Sequence, residues 1–198
     1  MEFDQKTLDF YNSQSSEYSF WSSKHRKEEL LIKFIEMLPK KSKILDLGCG
    51  AGHDSFYFAS KEFSVKALDV SKNILETIPK HPNIKTINSD FVSFKNTMKF
   101  TGIWSSFSLQ HIKKKYLLNT LKFLGKCLIK KGIFYIGIHE GNNEVRDSLG
   151  RYYCYYEKVV ILENLNKAGF KLNNFSRDKS KSYDGEDINI MHLFLQKK

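Results

Sequence analysis

Three glycines and one acid carry the most chemical information in this chain. The stretch Lys43-Ile-Leu-Asp-Leu-Gly-Cys-Gly-Ala-Gly-His53 runs an apolar strand into Gly48, Gly50 and Gly52 and then into a helix. Glycines at this spacing, with Cys49 between the first two, let the backbone turn tightly and bring a ligand against the amides at the head of the helix. Asp46, at the last turn of the strand, repels a pyrophosphate and welcomes an ammonium. The third glycine also arrives one residue earlier than the dinucleotide fingerprint G-x-G-x-x-G requires. An adenosine that bears an amino acid fits both features better than a dinucleotide does. Asp69 follows at a strand end about 20 residues beyond the turn, where a carboxylate accepts both hydroxyls of a ribose and Val70 packs on adenine. The other reading of Asp69 is a helix N-cap, although Ser71 is the better capping residue before the next helix. NAD remains the rival ligand, since the glycine turn and Asp69 also suit a ribose and a pyrophosphate.

The elements that must position these residues follow from periodicity and punctuation. The first forty residues read as a helical extension, with aromatic and apolar residues over Thr7–Trp21 and an apolar stripe over Lys24–Leu38 that Pro39 ends. Strands and helices then alternate: strand 43–48, helix 53–61, strand 64–69, helix 72–78, strands 84–88 and 102–107, helix 114–130 and strand 132–138. Such alternation implies a parallel sheet with right-handed crossovers. After a helix at 157–168, segments 170–177 and 188–196 are joined by a polar loop and should pair antiparallel. The loop 141–153 is the one long insertion.

The segment Ile44-Leu-Asp-Leu-Gly-Cys-Gly-Ala-Gly52 resembles the first motif of the class I S-adenosylmethionine-dependent methyltransferases. The likeness continues through Val65-Lys-Ala-Leu-Asp-Val70, Asn88-Ser-Asp-Phe91 and Gly102-Ile-Trp-Ser-Ser-Phe107, nearly to the C-terminus. It implies an α/β fold, a Rossmann-like seven-stranded mostly parallel sheet with an antiparallel last strand and helices on both faces. It implies S-adenosyl-L-methionine as methyl donor, leaving S-adenosyl-L-homocysteine. By this resemblance Asp46 holds the amino end of methionine, Asp90 lies near the adenine amino group, and Phe91 lies against the ring. The backbone of Ser105, Ser106 and Phe107 runs beside the methionine portion. Tyr18, with Tyr11, covers the cofactor from an N-terminal lid or simply packs. Arg26 reaches the methionine carboxylate or is a solvated helix residue. Residues 1–198 are expected to form a single methyltransferase domain, with 1–40 as lid and 41–198 as Rossmann-like core.

Methyl transfer from a sulfonium is an in-line displacement, so positioning comes first and a base helps only a protonated acceptor. His111, after the fourth strand, is the base candidate on position, against a helix-start histidine without chemistry. The loop Glu140–Tyr153 resembles the G-x-x-E-x-R-D-x-x-G-R-Y-F stretch of small bacterial methyltransferases related to tellurite-resistance enzymes, with Tyr153 in place of the usual phenylalanine. Arg151 and Tyr152 there are the candidates for binding the acceptor, a small anion or a flat polar molecule. The alternative is a salt-bridged loop in which Glu144 or Asp147 neutralises Arg146.

A chain of 198 residues with 41% hydrophobic and 27% charged residues has room for one substantial core. Neither a signal-peptide h-region nor a membrane-spanning apolar run is visible, and a cytoplasmic protein is the default expectation. Cys49, Cys127 and Cys154 lack metal-ligand or disulfide spacing, so no metal is expected. The net charge of +10 invites a nucleic-acid reading. All but four of the 32 basic residues are lysines, however, and arginine is the better phosphate and base reader. A small-molecule acceptor is therefore favoured over a tRNA or rRNA acceptor. A non-catalytic S-adenosylmethionine-binding protein is the third hypothesis, and the oligomeric state is open.

Overall fold

The computed structural model describes residues 3–91, 93–94 and 98–198. Nine strands and seven α-helices follow in order among them: α1 Gln5–Ser13, α2 Ser15–Lys24, α3 Glu28–Glu36, β1 Lys43–Leu47, α4 His53–Ser60, β2 Ser64–Asp69, α5 Lys72–Glu76, β3 Ile84–Asn88 and β4 Phe100–Ser106. A short 3-10 turn at Leu109–His111 leads to α6 Lys114–Cys127, β5 Leu128–His139, β6 Glu144–Arg146, β7 Tyr152–Cys154, α7 Lys158–Lys167, β8 Phe170–Lys181 and β9 Asp187–Lys197.

Seven strands form one sheet in the order β3-β2-β1-β4-β5-β9-β8, and β6 pairs with β7 in a separate hairpin. β1 to β5 run parallel, while β9 lies antiparallel between β5 and β8. This is the expected mostly parallel sheet with an antiparallel last strand. The strand order reverses between β1 and β4, where Asp46 pairs with Trp104, and open α/β sheets bind ligands at the carboxyl edge of such a switch point.

Alternating side chains feed two cores. Leu45, Ile103 and Ile136 pack with Leu117, Leu121 and Leu124 of α6 on one face. Ile44, Trp104 and Tyr135 pack with Leu31 and Phe34 of α3 and Phe58 of α4 on the other. Burial on both faces explains why these strands read as near-continuous apolar runs.

The N-terminal segment departs from expectation. The helix read at 7–21 is two helices, broken at Gln14 (φ −110°, ψ 21°). The run Asn12-Ser-Gln-Ser-Ser16 supplies short polar side chains that compete with the helical backbone for hydrogen bonds. Residues 1 and 2 of the expected 1–40 extension lie outside the described residues. α1 is fastened to three parts of the core. Asp4 forms an ion pair with Arg146 at 2.6 Å, the Tyr152 N–H donates to Thr7 Oγ1 at 2.8 Å, and Ser71 Oγ donates to Asn12 Oδ1 at 2.7 Å. Thr7 is fully buried and also donates to Asp4 Oδ1 at 2.8 Å. Thr7→Val keeps the shape but leaves the Tyr152 N–H without an acceptor. It should lower stability by about 1–3 kcal/mol in urea denaturation and accelerate hydrogen exchange in α1 ahead of the sheet.

Two boundaries also move. α6 stops at Cys127 rather than 130 because β5 begins at Leu128. The expected loop 141–153 contains the β6–β7 hairpin, with Val145 opposite Tyr153.

Candidate active site

The glycine turn is held rigidly against β2. The N–H groups of Gly48 and Cys49 both donate to the Leu68 carbonyl, at 2.8 and 2.9 Å. Gly48 has φ +69°, and a Cβ there would lie 2.3 Å from Ser108 Cβ. The Gly50 N–H donates to Asp69 Oδ2 and the Ser71 N–H to Asp69 Oδ1, both at 2.9 Å. Asp69 thus fixes the turn with one lone pair on each oxygen, and burial raises its pKa above the ordinary value. Ser71 takes the N-cap of α5, accepting from the Ile74 N–H at 3.2 Å, as its sequence position suggested. Asp46 is 2% exposed and accepts a 2.6 Å hydrogen bond from Ser55 Oγ. Burial, with the Asp54 carboxylate next in weight, pushes its pKa up to about 8.

Two cavities meet over this turn. The smaller, about 60 Å³, is lined by Asp69, Val70, Ile74, Phe91, Ser108 and His111 among others. The larger, about 160 Å³, is lined by Cys49, Asp46 and a set of rings that includes Trp21, Trp104, Tyr135 and Tyr183. Tyr11, Tyr18, Gly48, Gly50, Ser106 and Phe107 line both. The glycine turn, the end of β4, Tyr11 and Tyr18 therefore surround the junction. Tyr11 and Tyr18 meet edge to face at 5.0 Å. Phe107 adopts φ +57° and donates its N–H to the Gly137 carbonyl at 2.9 Å, which fixes the chain as it leaves β4.

Three of the candidate site residues line neither cavity. The Ser105 side chain is buried, 2.7 Å from Ser108 Oγ, and lines neither cavity; strand alternation presents Ser106 instead. Asp90 accepts the Ser93 N–H at 2.8 Å and is not among the residues lining either cavity, whereas its neighbour Phe91 is. The Tyr152 hydroxyl donates to Glu144 and lines neither cavity; along β7 it is Tyr153 that reaches the larger one. Arg146 is neutralised by Asp4 of the N-terminal segment rather than by Glu144 or Asp147.

Arg151 does line the larger cavity, yet it is 1% exposed and ion-paired with Asp147 at 2.6 Å. Its guanidinium lies 4.8 Å from the Phe10 ring, 5.2 Å from Tyr153 and 5.5 Å from Tyr183. Arg26 is in the stretch between α2 and α3, paired with Asp54 at 2.7 Å at the cavity wall.

His111 lines the smaller cavity and not the larger. Its Nδ1 lies 2.7 Å from the Tyr152 carbonyl oxygen and its Nε2 3.1 Å from the Tyr11 hydroxyl. A carbonyl only accepts, so Nδ1 carries the hydrogen and Nε2 accepts from Tyr11. Burial lowers the His111 pKa to about 4 and keeps the ring neutral.

Sequence reading missed much of the larger cavity. Tyr183, Ile188, Ile190 and His192 come from the β8–β9 hairpin, and Trp104, Tyr135 and His139 from strand positions indistinguishable from core. Tyr183 alone carried a signal, as a single aromatic residue in the polar run Lys179–Asp187. Among the described residues, no group of three or more His, Cys, Asp or Glu is placed to hold a metal, and no helix is long and apolar enough to cross a membrane.

Residues 44–132 match the family described as a methyltransferase domain. A methyltransferase candidate of Bacillus subtilis, YqeM, is 30% identical over 127 residues, which cover 58% of this chain and 50% of that protein. The chain thus spans half the length of that relative, and 64% of a second one from Methanocaldococcus jannaschii. The solved structure of 1,6-didemethyltoxoflavin-N1-methyltransferase from Burkholderia thailandensis, with 1,6-didemethyltoxoflavin and S-adenosylhomocysteine bound, superimposes with a TM-score of 0.78. That match covers 96% of this chain and 86% of the other, at 17% identity. TehB from Haemophilus influenzae superimposes with a TM-score of 0.70 over 87% of this chain and 63% of its own, at 14% identity. At such identities the likeness speaks for the fold.

Proposed function

We propose that the chain is a class I S-adenosylmethionine-dependent methyltransferase and that it transfers the methyl group of S-adenosylmethionine to a small-molecule acceptor. The observation that carries this reading is the pair of cavities meeting over the glycine turn. The residues present suit the cofactor. Asp69 offers its remaining lone pairs to a ribose, and Val70, Ile74 and Phe91 offer an apolar slot for adenine. Gly48 leaves open the backbone space that methionine needs, where any side chain would collide with Ser108. Asp46 is a buried acid suited to an ammonium. When bound, the cofactor supplies an activated methyl group on a sulfonium.

The protein's own task is to hold the acceptor in line and to take its proton where it has one. Tyr11 lines both cavities, and its hydroxyl donates to His111 Nε2. A proton leaving an acceptor passes to the Tyr11 oxygen as the Tyr11 hydrogen moves to His111. In this reading His111 acts through Tyr11 of the N-terminal helices, and these helices close a single-domain enzyme over its ligands. Tyr11→Phe and His111→Gln should each lower kcat by about 10²–10⁴-fold for a protonated acceptor, with the double variant no worse than either. The dissociation constant of S-adenosylhomocysteine should stay within about threefold, measured by calorimetry beside the kinetics.

In the relative from Burkholderia thailandensis the acceptor is 1,6-didemethyltoxoflavin, a small molecule, which is compatible with this reading. Incubation with methyl-labelled S-adenosylmethionine and a fractionated cell extract should put label into the small-molecule fraction. Label confined to RNA or protein would overturn the proposed acceptor class.

A further inference from the structure

The larger cavity combines three observations that together specify a ligand. Its walls are rings: Trp104 stacks on Tyr135 at 3.8 Å and 16°, and Tyr183 meets both Tyr18 and Trp21 at 5.4 Å. Its volume is about 160 Å³, and the methionine end of the cofactor at Asp46 and Gly48 takes one side of it, leaving the ring-walled side to the acceptor.

Its cations are already paired. Arg26 is held by Asp54 at 2.7 Å, Arg151 by Asp147 at 2.6 Å, Lys181 by Asp187 at 3.0 Å, and Lys27 by Asp178. An anion entering here would lose its water and find no unpaired positive charge among these groups, with Asp46 and Asp54 on the wall besides. His139 and His192 are kept neutral by burial, with pKa values lowered to about 3 and 4.

Its walls also carry buried polar atoms without hydrogen-bond partners. His139 Nδ1 has none, and the ring lies parallel to Tyr153 at 5.4 Å and 10°. Arg151 Nη2 lies 2.6 Å from Asp147 Oδ2 but not along an N–H direction, so its hydrogens are without an acceptor. Both groups flank the Tyr153 ring, His139 stacking on it and the Arg151 guanidinium 5.2 Å from its centre. Buried polar groups are ordinarily satisfied, and a ligand edge with one donor and one acceptor would satisfy both.

Building on the methyltransferase reading, we infer that the acceptor is an uncharged, planar heteroaromatic molecule with a lactam-type edge, its N–H or O–H at His139 and its carbonyl oxygen at Arg151. His139 and Arg151 then orient the ring, and the aromatic walls hold its plane.

The test uses the full chain saturated with S-adenosylhomocysteine, titrated by calorimetry with quinolin-2(1H)-one, pteridine-2,4-dione, 1-methylquinolin-2-one and sodium selenite. Saturable binding of at least one of the two N–H lactams and none of selenite is expected. His139→Phe, which keeps a ring beside Tyr153, should weaken the lactam about tenfold, leave 1-methylquinolin-2-one within twofold, and leave S-adenosylhomocysteine unchanged. Tyr183→Ala should weaken both quinolinones alike. Selenite binding in preference to the lactams, or no binding of either lactam by the loaded protein, would overturn the inference. Failure of S-adenosylhomocysteine itself to bind would instead overturn the cofactor reading on which it rests.

Discussion

Gly48→Ala should abolish measurable S-adenosylhomocysteine binding and lower folding stability by about 2–5 kcal/mol. Two effects add. A left-handed backbone at φ +69° costs a non-glycine residue about 1–2 kcal/mol. The new methyl group would also lie 2.3 Å from Ser108 Cβ, and Ser108 cannot retreat. Its hydroxyl donates to the Leu47 carbonyl at 2.5 Å and meets Ser105 Oγ at 2.7 Å, so relief of the clash must shift β1 against β4. Gly150→Ala is the control. Gly150 has φ +82° but nothing within 4 Å of the added Cβ, so only the backbone penalty of about 1–2 kcal/mol should appear in urea denaturation. Equal losses for the two variants would contradict the close-approach role of Gly48.

Asp46→Asn should have the second large effect, and pH gives it a signature. Burial pushes the Asp46 carboxyl up to about 8 in the folded protein, against an ordinary value of 3.8. Below the lower value it is protonated in both folded and unfolded chains. As pH rises toward 8 the unfolded chain releases the proton while the folded protein keeps it, so folding stability falls across this window and levels off above it. The asparagine variant lacks this loss and should gain stability relative to the parent between pH 5 and 8.

Binding runs the opposite way. An ammonium group favours the carboxylate, so the parent's affinity for S-adenosylhomocysteine should rise about tenfold per pH unit between 6 and 7.5. At pH 7 binding should release close to one proton, seen by calorimetry in buffers of different ionisation heat. Asp46→Asn should bind about 10–150-fold more weakly at pH 8, with no such slope, because a charge-assisted hydrogen bond is lost. A parent affinity independent of pH would contradict the assignment of Asp46 to the ligand's amino end.

The sheet was legible in the sequence because its strands are short apolar runs closed by glycine, aspartate or serine. β2 at Ser64–Asp69 and β3 at Ile84–Asn88 begin and end where the sequence placed them. The antiparallel β8–β9 ending followed from the absence of a crossover helix. Boundaries shifted where local signals were weak. Nothing in Leu128-Ile-Lys-Lys131 distinguishes the last turn of α6 from the start of β5, and pairing of Leu128 with Phe100 settles it in favour of the strand.

The part of the candidate site built on β1 and β2 was legible in the sequence, and the aromatic wall of the larger cavity was not. Asp46, Gly48, Cys49, Gly50, Asp69 and Val70 all come from β1, β2 and the turns that follow them, so their order in sequence is nearly their order in space. The larger cavity is assembled from α2, β4, β5, β7 and the β8–β9 hairpin, through pairings no local pattern announces. Arg146 finds Asp4 across 142 positions, and His111 finds Tyr11 across 100. Ser105 and Tyr152 illustrate the period of two: in each case the next residue along the strand, Ser106 or Tyr153, is the one that lines the cavity.

The most direct test is calorimetric titration of the full chain at pH 7 with S-adenosylhomocysteine and, separately, with NAD. The glycine turn, Asp69 and the apolar slot around Val70 and Phe91 would accept an adenosine from either, and the buried Asp46 distinguishes them. S-adenosylhomocysteine should bind one to one with release of close to one proton, and NAD should bind at least about 100-fold more weakly. Tighter binding of NAD, or binding of S-adenosylhomocysteine without proton release, would contradict the account.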